Sequence, residues 1–199
     1  MDAGSTPSQA APVPAVVVPY DPAWEPAGIA IAAELRVALA PVALRVEHIG
    51  STAIRGMAAK RVFDLQASVD DLDRAAGAFH RPLKERGFLR LPYEQDHQPP
   101  GSDDPPARWA KRLWARRGHA EADINLHVRL RGAPNERLAL LFRDWFRAHP
   151  EAIPSYARFK RVLAQSVPDV GTYTDVKDPV VDLVVAVAES WAAATGWAP

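Results

Sequence analysis

From His48 to Gln66 the chain reads His-Ile-Gly-Ser-Thr-Ala-Ile-Arg-Gly-Met-Ala-Ala-Lys-Arg-Val-Phe-Asp-Leu-Gln, a Gly-Ser turn between two apolar stretches with an acid on the second. These residue types suit a bound phosphate. Gly50 bends without a Cβ penalty and lets an anion approach the backbone. Ser51 and Thr52 offer hydroxyl and amide donors, and Arg55, Lys60 and Arg61 add positive charge nearby. A serine-capped turn between a strand and a helix accounts better for Gly-Ser alone. The strand before it, the small residues after it and Asp64 beyond them bring a ligand level with that account. A second polar set, Asp123, Asn125, His127 and Arg129, alternates with Ile124, Leu126, Val128 and Leu130, as on a strand with one polar and one core face. Basic residues run from Arg108 to Arg117 with Trp109 and Trp114 among them. A charged sheet edge explains that run better than base stacking does, although Lys111 and Arg112 are placed to line a cleft opposite Ser51.

The elements that must hold these groups follow from periodicity. Val16 to Val18 is a short β-branched run, and the residues from Trp24 to Leu39 repeat at helical spacing. Ala43 to Ile49 and Val62 to Val69 read as strands. A helix is predicted from about Asp70 to Arg86, with Ser68 and Asp71 at capping-box spacing and Gly87 as its stop. Phe88 to Tyr93, Arg108 to Arg117 and Asp123 to Arg131 are further strands, and the Pro-, Asp- and Gly-rich Glu94 to Pro106 is a loop. Beyond Asn135 the period is helical, with stripes at Leu138–Trp145, Tyr156–Leu163 and Val180–Trp191. Lys160 sits one turn from Tyr156, at the rim of a buried stripe. Trp145, Phe146 and Trp191 leave room for a protein-interaction surface, but their helical spacing makes core the default.

Composition removes several classes of function. The 199 residues are 48% hydrophobic and 24% charged, enough for one domain with a sizeable core. The 24 Lys and Arg equal the 24 Asp and Glu, so the chain is no bulk polycation and nucleic acid is not an expected partner. The absence of cysteine excludes thiolate metal sites and cysteine nucleophiles. Residues 1–15, rich in Pro, Ala, Ser and Thr, are expected to be a disordered tail, and 16–199 the folded domain. No stretch approaches the apolar length of a membrane span, and a cytoplasmic protein is expected. Nothing in the sequence predicts an oligomeric state.

Gly50-Ser51, Ala53, Gly56, Ala58 and Asp64 resemble the Gly-Ser signature of the nucleotidyltransferase superfamily. The longer string Val46 to Val69 extends the likeness, together with Tyr20 to Trp24, Asn125 to Val128, Phe142 to Asp144, Tyr156 to Lys160 and Tyr173 to Lys177. Over about residues 16–197 the chain resembles the GrpB family. That resemblance implies an α/β (α+β) fold of nucleotidyltransferase type, a mixed sheet flanked by helices with a helical C-terminal part. It also implies a family sometimes fused to dephospho-CoA kinase, with no activity common to all its members.

In the superfamily the Gly-Ser turn holds a triphosphate and two acids in Asp-x-Asp hold Mg²⁺. Two positions depart from pattern. Arg55 and Arg61 stand where the GrpB family usually has proline, adding charge to the loop, and Gln66 stands where the superfamily places its second acid. The resemblance also implies that the Asp123 strand neighbours Asp64. Asp64, Asp123 and a histidine are then candidate ligands for Mg²⁺ or Mn²⁺, and His127 or His48 a candidate general base. A polar strand face with satisfied histidines is an equal alternative. The functional expectation is a nucleotide or other small anionic ligand, held by Gly50, Ser51, Thr52, Arg55, Lys60, Arg61, Gln66, Lys111 and Lys160, with Asp64 and His127 as catalytic groups. Either a transferase or a ligand-binding module with a degenerate metal site would use such a cleft.

Overall fold

The computed structural model describes residues 12–118 and 123–199. Its centre is a five-stranded mixed sheet of β1 (Arg45–Ile49), β2 (Val62–Val69), β3 (Leu89–Leu91), β4 (Lys111–Arg116) and β5 (Asp123–Leu130), in the order β1-β2-β5-β4-β3. Only β2 and β5 run parallel; every other neighbouring pair is antiparallel. The α/β expectation with a helical C-terminal part holds.

Alternation along the strands gives the sheet two chemically different faces. Phe63, Leu65, Ala67, Ile124, Leu126, Val128 and Trp114 lie on one, under α1 (Trp24–Ala38) and α2 (Leu72–Lys84). Asp71, in extended conformation, caps α2 by accepting from the amides of Asp73 and Arg74 at 2.8 and 2.9 Å. Ser68 therefore does not take part in that cap; it lies inside β2. The stripe Leu72, Ala75, Phe79 and Leu83 buries against the sheet, where a side chain the size of Phe79 contributes about 1.5–3 kcal/mol.

The opposite face is polar, and α3 (Pro134–Ala148) docks on it through charges and amides. Glu136, 2% exposed, accepts from Arg45 at 2.8 Å, from the Gly132 amide at 2.8 Å and from the Ser68 hydroxyl. Asp96 accepts from Lys111 at 2.6 Å, Arg129 at 2.7 Å and Asn135 at 3.0 Å. Those cations hold the Asp96 carboxyl far below the usual carboxylate range despite its burial. The loop expected over 94–106 is thus pinned to the sheet by its own acid.

A second core joins Ile54, Met57 and Ala58, just beyond the Gly-Ser turn, to Phe142 and Phe146 of α3 and to Ile153, Tyr156 and Ala157 of α4 (Ile153–Ser166). The last helix, α5 (Val170–Thr195), begins ten residues before its apolar stripe and runs through Pro179. Trp145 and Trp191 are partly buried against neighbouring helices, so these aromatics serve packing. Most of the expected N-terminal tail lies outside the described residues. From residue 12 the chain is placed: Ala15 is buried with Leu163 and Tyr173, and the Val13 carbonyl accepts from the Val170 amide at 2.9 Å. Among the described residues no helix is long and apolar enough to cross a membrane.

Candidate functional site

β1 ends at Ile49, and Gly50 turns the chain with φ +69° into a single 3-10 turn, Ser51–Ala53. A Cβ at Gly50 would stand 2.7 Å from Asp64 Oδ2, so only glycine lets the turn lie against that carboxylate. The turn's own hydrogen bonds start at the amides of Ala53 and Ile54, which leaves those of Ser51 and Thr52 outside it. Arg147 of α3 donates twice to the Ala53 carbonyl, at 3.1 and 2.9 Å, and fixes the turn's far end.

Asp64 shares the polar face with Asn125, its register partner on β5, and with His127 one pleat along. Asn125 donates to Asp64 Oδ1 at 2.8 Å, and His127 Nε2 stands 3.7 Å from the same oxygen. Burial works to raise the Asp64 carboxyl, but His127, Asn125 and the Lys60 ammonium outweigh it and hold it at about 2. Burial lowers His127 in turn. Its Nδ1 faces the Arg129 guanidinium at 3.5 Å while Nε2 faces Asp64, so both ring nitrogens have partners inside the protein.

Lysines converge from three directions. Lys160 of α4, 2% exposed, donates to Ser51 Oγ at 2.7 Å and lies 5.3 Å from the Tyr156 ring centre. Burial pushes its ammonium down to about 7, with Lys177 and Lys60 adding repulsion against the pull of Asp64. Lys60 sits 5.3 Å from the ring centre of Tyr173 on α5 and is likewise lowered by burial and by Lys177. Lys177 pairs with Asp178 at 3.1 Å.

Several expected site residues are placed elsewhere. Thr52 is 2% exposed, and its hydroxyl donates to the Val62 carbonyl at 3.3 Å while accepting from His48 Nε2 at 2.9 Å. His48 points to the α1 side because strand parity sends Glu47, not His48, to the cleft face. Its Nδ1 has no hydrogen-bond partner and packs where a Cβ on Gly28 would be, and burial depresses the ring to about 4. Gln66 is fully buried with both amide ends taken, by the Glu136 carbonyl and by Arg129. Lys111 is committed to Asp96. Arg55 is exposed, and Arg61 faces a separate concavity of about 470 Å³ against Asp21, Trp24 and Glu34 of the α1 segment. Asp123 accepts from the Gly118 amide at 3.0 Å and faces Arg117 at 3.8 Å, so its carboxylate belongs to the chain between β4 and β5.

These donors do not fit Mg²⁺ or Mn²⁺. Among the described residues no three His, Asp or Glu side chains gather as ligands; Glu47 on the same face is paired with Arg143, and the Asp64 carboxylate is answered by lysines. The set suits an anion. Lys177 and Asn125 stand in motifs the sequence singles out but were not assigned to the site. The repeated Tyr-x-x-x-Lys spacing of Tyr156–Lys160 and Tyr173–Lys177 was the available signal, since it places each lysine one helical turn from a ring.

The family model described as GrpB protein matches residues 14–186. A dephospho-CoA kinase of Mycolicibacterium paratuberculosis is 37% identical over 204 residues, covering 96% of this chain and 50% of the relative. The chain therefore spans about half the length of such relatives. A UPF0157 protein of Halalkalibacterium halodurans is 32% identical over 83% of this chain and 78% of its own length. The crystal structure of conserved protein GrpB from Enterococcus faecalis superposes with a TM-score of 0.70 at 24% identity, over 88% of this chain and 99% of that one, a likeness of fold.

Proposed function

Since this chain belongs to the GrpB family, whose fold it shares, we propose that its cleft binds a nucleotide or another small phosphorylated molecule through Ser51, Lys60, Lys160 and Lys177. The observation that carries this reading is the Lys160–Ser51 contact at 2.7 Å, where a buried ammonium has a hydroxyl and, among the described residues, no carboxylate as its hydrogen-bond partner. Burying an unpaired cation is costly, and an anionic ligand is the natural counter-charge. Because Lys160 donates to Ser51 Oγ, the serine's own hydrogen is left to donate to a phosphate oxygen. Relatives named dephospho-CoA kinase make CoA precursors reasonable members of a ligand panel.

Group transfer is a second reading, favoured by the Gly50–Ser51 turn lying directly against Asp64 as it would in a nucleotidyltransferase cleft. In that reading the chain orients the phosphate and neutralises developing charge, with Asp64 directing the acceptor group. Thermal shift with nucleotides, dephospho-CoA and pyrophosphate tests binding, because a ligand held only by the folded state raises the midpoint. A rise that disappears in Ser51→Ala and in Lys160→Met supports the reading. No response to any phosphorylated compound overturns it.

A further inference from the structure

We propose that the cleft takes a phosphate group free of any divalent ion, with the ammonium groups of Lys60, Lys160 and Lys177 supplying the positive charge and Asp64 acting as counter-charge to them, not as a metal ligand. The inference rests on the phosphate-binding reading above and narrows it.

The donor inventory carries it. Lys60 and Lys160 form no salt bridge among the described residues; their neighbours are two tyrosine rings and the Ser51 hydroxyl. Lys177 has Asp178, yet its charge is still felt by both other lysines, and Arg117 is felt by Lys60. The three lysines outnumber the carboxylates Asp64 and Asp178 beside them, Asp123 and Glu47 being paired with Arg117 and Arg143, and part of that repulsion stays uncompensated until an anion enters. Asp64 already has Asn125 on Oδ1 and His127 beside it, while Oδ2 lies against Gly50. A divalent cation arriving there would find one engaged carboxylate and a ring of like charge. Asp123, the other carboxylate expected at a metal site, is held by the Gly118 amide and faces Arg117, and Gln66, standing where the superfamily has its second acid, is taken by Glu136 and Arg129. A phosphate meets the opposite situation, with three ammonium groups and a hydroxyl hydrogen available.

Titration calorimetry of inorganic pyrophosphate into the full chain, once in EDTA and once in excess Mg²⁺, separates the possibilities. We expect binding in EDTA, weaker apparent binding with Mg²⁺ because the ion chelates the probe, and about fivefold tighter binding in Asp64→Asn, since one repulsive charge is gone. Lys177→Gln should weaken binding about fivefold, an independent check at a partly buried position. Melting curves of the ligand-free variants establish that each is folded. Binding that appears only with Mg²⁺ or Mn²⁺ and vanishes in Asp64→Asn overturns the ion-free proposal and leaves the phosphate reading standing. Binding in EDTA that Asp64→Asn weakens overturns the counter-charge assignment. Absence of pyrophosphate binding under both conditions, in a folded protein, removes this inference; if the nucleotides and dephospho-CoA also give no thermal shift, the broader reading goes with it.

Discussion

Lys160 is the residue whose environment says most about function. Its folded-state value near 7 lies below the ordinary 10.5, so the unfolded chain holds a proton between those limits that the folded chain has given up. Protonated Lys160 thus costs stability below about pH 7, and that cost is relieved as pH rises toward 10.5. Anion binding runs the other way, because the ligand needs the ammonium form. The apparent Kd for pyrophosphate should rise between pH 7 and pH 9 in the wild type and show a much smaller rise in Lys160→Met, as read by calorimetry at each pH. The same variant removes a buried cation, and its ligand-free melting temperature should be no lower than that of the wild type. At Gly50, alanine would meet both a positive φ and the Asp64 carboxylate at 2.7 Å. Gly50→Ala should cost about 1–3 kcal/mol in urea unfolding and displace the turn that carries Ser51. Such a position is visible in sequence only as a glycine; its neighbour across the turn is not.

The elements explain why a polar sheet face can be buried. On the α1 and α2 side, apolar alternation in β2 and β5 and the stripe on α2 predict the packing directly, and the structure follows them. On the α3 side the same alternation predicts a polar face, and sequence alone suggested a ligand cavity over much of it. The structure uses most of that face to dock a helix. Glu136 collects Arg45, Ser68 and the Gly132 amide, and Asp96, ahead of β4 in the chain, collects Lys111, Arg129 and Asn135. Removing Glu136 leaves the buried donors around it unpaired. Glu136→Ala should therefore lose about 3–5 kcal/mol by chemical denaturation, whereas the exposed Glu85→Ala, which breaks only the surface pair with Arg81, should leave the denaturation midpoint nearly unchanged. Gln66 and Lys111 drop out of the ligand site for this reason: both belong to the docking network.

At the scale of the molecule, the sheet and the C-terminal helices each contribute one wall of the cleft. Ser51, Asp64 and Lys60 come from the sheet half, Lys160 and Lys177 from α4 and α5, and the second core through Ile54 and Met57 joins the two. Ligand binding should therefore stabilise the fold as a unit, with one shifted melting transition. Acid should destabilise it through a buried histidine. His48 is neutral in the folded protein down to about pH 4, whereas an unfolded histidine protonates near 6.5. The unfolded state thus binds the extra proton, and stability should fall by about 2–3 kcal/mol between pH 6.5 and pH 4. Urea midpoints measured across that range should show the slope, and it should be reduced in His48→Gln.

The sequence by itself determined the family, the α/β order, the strands at Val62–Val69 and Asp123–Leu130 to within a residue, and the Gly50–Ser51 turn facing Asp64. These depend on periodicity, on turn chemistry and on long ordered motifs, all local along the chain. Only the tertiary structure decided which charges are free. A polar side chain looks the same in sequence whether it meets a ligand or another residue of the fold, so Gln66 went to Arg129 and Glu136 more than 60 residues away, and Lys111 to Asp96, while Lys60, Lys160 and Lys177 come from segments far apart in the chain. Pairing between distant residues is set by how the layers stack, and no spacing along the chain encodes it.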